Sequence, residues 1–374
     1  MPLLDVDAVV VGAGAMGAAA TWHLARRGRR VVVLEQFEAA HDRGSSHGAS
    51  RVFRIAYRDR RYVRLAARAL PLWRQLEADA GGTLLEQTGQ LDHGERAAVE
   101  EIEANLRSAG CRAERLTPAG AQERFPGMRF EDAVVFSPDG GRCRADATVA
   151  ALQHRAVAHG AELHLHTTVE RIEAGPGGAG SRATVHSTTG SWRAPAVVVA
   201  AGAWAQGLLG GIVDGLPPLQ VTLEQPAHFR PVLADVGWPS FLHHAPGRGP
   251  GHPLGFGAYG VFSPGEGMKV GEHGTGPTID PDRSPRTVDP GPLARLGRYV
   301  ATWLPGLDPE SASASTCLYT TTPDQHFVLD RTGPVVVCSP CSGHGFKFVP
   351  AIGEIVADLA DGGSQDEAGW RLAP

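Results

Sequence analysis

Lysine occurs only twice in this chain, at Lys269 and Lys347, although Lys and Arg together number 35. Ammonium and guanidinium groups exchange freely on a solvated face. In a tight site they do not, because a compact point charge and a planar fork recognise different partners. Each lysine therefore marks a place where a small cation could be required. Lys347 lies in residues 342–348, SGHGFKF, a Gly-rich turn leading into an apolar helical segment. A helix N-terminus behind such a turn attracts anions, and Lys347 would add a full charge suited to a carboxylate. A solvated surface lysine is the plainer alternative, but arginine fills that role elsewhere in the chain. Among the five cysteines, Cys338 and Cys341 have CxxC spacing. No second pair or His/Cys set completes four ligands, so no metal is expected and a structural role is favoured.

The N-terminal segment reads as strand, turn, helix and strand. Ala8–Val11 is short, apolar and β-branched, as a buried parallel strand should be. Gly12, Gly14 and Gly17 follow in G-x-G-x-x-G spacing: the first for a tight turn, the second for approach of a pyrophosphate, the third for helix–strand packing. The helix runs toward Gly28, Val31–Leu34 forms the second strand, and Glu35 stands where a carboxylate accepts hydrogen bonds from ribose hydroxyls. An acid there disfavours NADP and leaves NAD and FAD open.

Further along, residues 82–94 read as strand and turn, and residues 95–110 as an amphipathic helix. Residues 144–174 read as helix then strand, and residues 194–209 as a buried strand that ends at Ala201-Gly202, where backbone could approach a nucleotide. The Pro/Gly-rich stretch of about 216–292 has the look of sheet and loops of another module, while the tail returns to strand, Gly-rich turn and helix. First and last segments thus belong together, with a second module inserted. The chain of 374 residues is long enough for two cores, and its net charge of -5 argues against a nucleic-acid or anionic-membrane partner. No apolar run approaches a membrane span, the N-terminus lacks a basic n-region, and an odd cysteine count favours reduced thiols; a cytoplasmic location is expected.

The segments VVVGAGAMG, GSSHGASRVFRIAY, YGVFSPGEGMKVGEH, CLYTTTPDQHFVLD and SGHGFKF, in that order, resemble the monomeric sarcosine oxidase and N-methyltryptophan oxidase family of flavoprotein amine oxidases. The resemblance covers nearly the whole chain. It implies an α/β fold with a discontinuous, Rossmann-like FAD-binding domain (1–85, 145–218, 318–374) and an α+β substrate domain on a mainly antiparallel sheet (86–144, 219–317). It implies FAD bound covalently through Cys317 to the 8α-methyl group. Arg54 and Lys347 match a pair that clamps the substrate carboxylate, and Arg51 an arginine beside the flavin. Tyr259, Tyr319 and His273 match residues of the substrate pocket, and Lys269 the lysine that activates oxygen. The same likeness extends the cofactor set to Ala13, Met16, Gln36, Ser45, Val169, Trp204, Gly343, His344, Gly345 and Phe346. Asp59 stands where relatives can carry a glutamate acting as a mobile gate.

By this resemblance the chain oxidises a secondary α-amino acid to an imine and forms H2O2 from O2, as a monomer acting on small molecules. The substrate class is sarcosine or another N-methyl amino acid; alternatives are a cyclic imino acid or a natural-product intermediate. Outside that class stand an NAD-dependent dehydrogenase sharing only the first motif, and a flavin-binding module without turnover. Two features depart from the family pattern. The spacing from Tyr259 to Lys269 is one residue shorter than in relatives, and a Gly/Pro-rich insert occupies residues 243–258.

Overall fold

The computed structural model describes residues 3–175, 180–233, 236–244 and 257–372. A six-stranded sheet runs in the order Glu162–His164, Val31–Leu34, Ala8–Val11, Val197–Val199, Val335–Ser339, Val328–Thr332. All neighbours are parallel except the last pair. Its three central strands are continuous valine-rich runs, buried on both faces, as parallel strands covered by other layers must be. Helices Ala15–Arg26, Ala145–Ala158 and Val349–Ala360 bring their buried residues into one core on one side of this sheet. On the other side lies a small sheet that pairs Leu3–Asp5, Ser191–Ala194, Ala183–Ser187 and Val169–Ala174. The first helix ends at Arg26, with Gly28 two residues beyond in the left-handed region.

The second large sheet has eight strands, ordered Ser313–Ala314, Ala227–Phe229, Gly267–Glu272, Ala258–Ser263, Ser240–His244, Gln90–Gly94, Ala133–Ser137, Glu114–Leu116. It is antiparallel apart from the pair Ser240–His244 and Gln90–Gly94. A two-stranded ladder joins Gln220–Glu224 to Cys317–Thr321, and Ser50–Phe53 pairs with Gly141–Arg144. Architecture is therefore α/β with mixed sheets, and strands from the first, middle and last parts of the chain share the parallel sheet. Most of the Gly/Pro-rich insert, residues 245–256, lies outside the described residues.

Candidate active site

A cavity of about 560 Å³ opens at the C-terminal ends of the parallel strands Ala8–Val11, Val31–Leu34 and Val197–Val199. That is where an open parallel sheet places a ligand. Gly12 has φ +95, and a Cβ there would lie 2.7 Å from the Ala200 carbonyl oxygen. At Gly17 a Cβ would lie 1.9 Å from the Gly12 carbonyl oxygen, so this glycine lets the helix start against its own turn. Gly17 packs behind the turn, whereas Gly12, Ala13, Gly14 and Met16 line the cavity. The helix beginning at Ala15 has no capping side chain on its N-cap residue; Ala15 N–H donates to Ser46 Oγ at 3.1 Å. Glu35 Oε2 accepts from the Ala13 N–H at 2.8 Å and Oε1 from the Phe37 N–H at 3.1 Å. A helix N-terminus whose N-cap residue supplies no capping side chain, a glycine turn and a carboxylate at one end form the donor and acceptor set that a pyrophosphate and an adenosine ribose require. These residues fit FAD. Gln36, Val169, Ala201, Gly202 and Trp204 border the same end.

At the other end the wall is built by residues far apart in sequence. Ser45 Oγ donates to the Leu318 carbonyl at 2.6 Å, tying the basic loop to the strand that carries Cys317. Arg51 donates to the carbonyls of Ser45, His47 and Ser50, so its guanidinium is fixed beside Cys317. Burial raises the Cys317 thiol above its ordinary range, while Arg51 and Lys269 pull it down. Gly343, His344, Gly345 and Phe346 complete the wall from the C-terminal turn. Cys338 and Cys341 line it as well, and Cys341 Sγ accepts from the Thr320 N–H at 3.3 Å.

Arg54 and Lys347 are both buried and both face the ring of Tyr57, at 3.7 and 5.8 Å from its centroid. Lys347 sits in the 3₁₀ turn Phe346–Phe348, just before helix Val349–Ala360, and its Nζ donates to the His344 carbonyl at 2.7 Å. Burial, and then the Arg54 charge, hold its ammonium well below the ordinary lysine range. Two like charges in a desolvated wall call for an anion between them. Tyr259, Tyr319 and His273 line the same space, with the His273 and Tyr319 rings 5.2 Å apart. Tyr259 pairs with Gly271, and its ring occupies the volume that a side chain at Gly271 would need. The hairpin thus delivers Tyr259 to the cavity.

Lys269 is not in this cavity. It is 7% exposed and faces an adjoining space of about 150 Å³, which shares Arg51, Tyr259 and Cys317 with the larger one. Burial and Arg51 lower its pKa to about 8. Asp59 borders neither space: it caps helix Arg60–Ala80 through the Arg61 N–H and pairs with the Arg61 guanidinium. Its carboxylate is thereby committed to the helix start, which gives no support to a gate. Sequence reading gave no role to His47 and Tyr57, although both lie in the segment GSSHGASRVFRIAY, and it missed His228, whose place depends on strand register. Among the described residues no group of three His, Cys, Asp or Glu could hold a metal ion, and no helix is long and apolar enough to cross a membrane.

The family model described as FAD dependent oxidoreductase matches residues 7–359. Peroxisomal sarcosine oxidase of Homo sapiens is 35% identical over 375 residues, covering 95% of this chain and 92% of its own. Monomeric sarcosine oxidase of Bacillus sp. (strain NS-129) is 32% identical, covering 96% and 94%. Among solved structures, the open form of NikD, an unusual amino acid oxidase essential for nikkomycin biosynthesis, is 29% identical. It superposes with a TM-score of 0.84 over 99% of this chain and 98% of its own. A match that spans both the glycine turn and the Lys347 turn places the chain in the FAD dependent oxidoreductase family.

Proposed function

We propose that this protein is an FAD-dependent oxidase of a secondary α-amino acid, with sarcosine or another N-methyl amino acid as substrate. The family match sets aside the NAD-dependent alternative. One observation carries the substrate class: Arg54 and Lys347 stand together in a buried wall against Tyr57. A guanidinium fork and an ammonium suit a carboxylate, and little else small would compensate two desolvated cations. With the carboxylate held there, the amine and its neighbouring carbon would point into the space bordered by Tyr259, Tyr319 and His273.

When bound, FAD supplies the two-electron oxidation of the carbon–nitrogen bond and returns the electrons to O2. The glycine turn, the helix N-terminus and Glu35 would hold its adenosine end, Arg51 would adjoin its ring, and Cys317 would hold it through a thioether. Lys269 would meet the negative charge that develops as O2 is reduced, in a small, buried space. The overall change is an N-methyl amine plus O2 to an imine plus H2O2, with water then releasing formaldehyde and the primary amine. In this reading residues 1–85, 145–218 and 318–374 form the cofactor domain, residues 86–144 and 219–317 the substrate domain, and the protein works as a cytoplasmic monomer. Likeness to NikD, an unusual amino acid oxidase essential for nikkomycin biosynthesis, favours as a second reading an intermediate of natural-product synthesis.

The test is anaerobic mixing with N-methyl amino acids, cyclic imino acids and the same amines lacking a carboxylate, following loss of the oxidised-flavin absorbance. Bleaching by carboxylated secondary amines alone is expected. Equal bleaching by the amines without a carboxylate would overturn the reading.

A further inference from the structure

Oxidising a secondary amine to an imine releases two electrons and two protons, and O2 takes up two of each to become H2O2. One of the two protons leaves from the substrate nitrogen, on the side of the site walled by Arg54 and Lys347. If O2 is reduced beside Lys269, a proton has to arrive there from solvent to replace it. The structure holds a route of the required kind.

Lys269 lies directly opposite His228 in the antiparallel pairing of Gly267–Glu272 with Ala227–Phe229. Directly opposed residues project from the same face with Cβ atoms about 4.5–5.5 Å apart. Both line the 150 Å³ space, which has room for several waters. Glu266, in the turn that precedes the Lys269 strand, lines it too, and its Oε2 lies 3.2 Å from His228 Nε2. Exposure falls along this line, from 47% for the Glu266 side chain to 14% for that of His228 and 7% for Lys269. The Nε2 contact is not aligned as a hydrogen bond, so that nitrogen is not locked into a fixed donor role.

We propose that Glu266 and His228 form a proton-supply line to Lys269. Glu266 takes a proton from solvent, His228 accepts it on Nε2 and releases one from Nδ1, and water in the small space delivers it beside the Lys269 ammonium. The inference rests on Lys269 being the cation on the oxygen side. A relay needs a neutral imidazole, with one donor and one acceptor nitrogen. Burial, Lys269 and Arg51 keep His228 neutral, at about 4. His47 across the space is also held at about 4, by burial, Arg51 and Lys269 against the opposing charges of Asp42 and Asp146, but among the described residues no carboxylate lies against it as Glu266 does against His228. Tyr259 keeps its proton because burial raises its phenol. Around Lys269 itself Arg51 opposes the ammonium, while Cys317, Glu266 and Asp146 favour it.

Stopped-flow reoxidation by O2 tests the line in the holoprotein. His228→Ala should slow reoxidation by about 10²-fold, the lower end for loss of a proton-transfer group, and far more than it slows flavin reduction. Added imidazole should restore much of the rate in His228→Ala and none in His228→Phe, where the space is filled. An unchanged rate in His228→Ala overturns the proposal. So does a slow rate that imidazole leaves slow, which marks damage to the strand pair. A second readout needs no turnover: with two lysines in the chain, [15N]lysine labelling gives two side-chain signals, assigned with Lys347→Met. Glu266→Gln should lower the Lys269 titration midpoint, and an unmoved midpoint removes Glu266 from the line. Lys269→Met reoxidising at the wild-type rate would instead sink the underlying reading, whereas slow Lys269→Met beside fast His228→Ala removes only the relay.

Discussion

Glu224 stands directly opposite Cys317 in the ladder between Gln220–Glu224 and Cys317–Thr321. Burial raises its carboxyl above the ordinary range, although Thr222 Oγ1 and the N–H groups of Thr275 and Gly276 donate to it. Those bonds anchor the loop that follows His273. The Glu224 carboxyl and the Arg51 and Lys269 charges all act on the Cys317 thiol, which borders both the larger cavity and the space that holds Lys269.

On that basis Cys317 should carry the flavin covalently. Acid precipitation of the wild-type protein should leave yellow, fluorescent material on the chain in a denaturing gel. Cys317→Ser should bind FAD and lose all of it to the supernatant. Complete release from wild-type protein loaded with FAD would rule the attachment out.

Lys347→Met should separate stability from binding. The Lys347 ammonium is held below the ordinary lysine range by burial and Arg54. The folded chain therefore binds fewer protons than the unfolded chain between that depressed value and about 10.4. Stability from this group rises with pH across that interval and is lowest below the depressed value. Removing the amine should raise the melting temperature at pH 7 while weakening a carboxylate inhibitor by roughly 2–5 kcal/mol. A lower melting temperature with unchanged inhibitor affinity would contradict both halves of the argument.

What could be read in advance was whatever the chain carries locally. The glycine turn, Glu35 and the Lys347 turn are contiguous motifs, and the helix and strands around them follow from short-range pattern. The partners of Lys269 are not local. His228 meets it only because two strands pair in one register, and Glu266 meets His228 only through the turn that leads into the Lys269 strand. Tyr57 ends the segment GSSHGASRVFRIAY, yet nothing local marks it for the site; the buried phenol becomes part of it because Arg54 and Lys347 converge on it. Asp59 shows the reverse failure: a carboxylate in a suggestive place is taken up by the helix it caps.

The turn before Lys347 is packed too closely to accept a side chain. A Cβ on Gly345 would lie 1.8 Å from the Pro340 carbonyl oxygen, so Gly345→Ala has to open the loop that Lys347 and Phe346 depend on. Overpacking of this kind costs typically 1–3 kcal/mol, and here it should also empty the cofactor site. The variant is expected to purify with little bound flavin and a lowered melting temperature. Gly82→Ala, where an added Cβ meets nothing within 4 Å, is the control expected to retain both. Full flavin content in Gly345→Ala would show that the turn is not needed to hold the cofactor.

The pH dependence of reoxidation should report Lys269 itself. Burial, then Arg51, bring its pKa from the ordinary lysine value down to about 8, so the ammonium is present below that pH and lost above it. An ammonium that meets new negative charge only as O2 is reduced lowers that barrier and not its ground state. The second-order rate constant for reoxidation should accordingly fall as pH rises through about 8. Lys269→Met should be slow by ~10²–10³-fold and flat across the same range. Lys269→Arg keeps its charge to high pH, so its profile should also be flat, at an intermediate rate, because a planar, weakly hydrated fork cannot place its charge as an ammonium does. A wild-type profile that stays level from pH 7 to 10, with Lys269→Met equally fast, would leave the lysine without a part in oxygen chemistry.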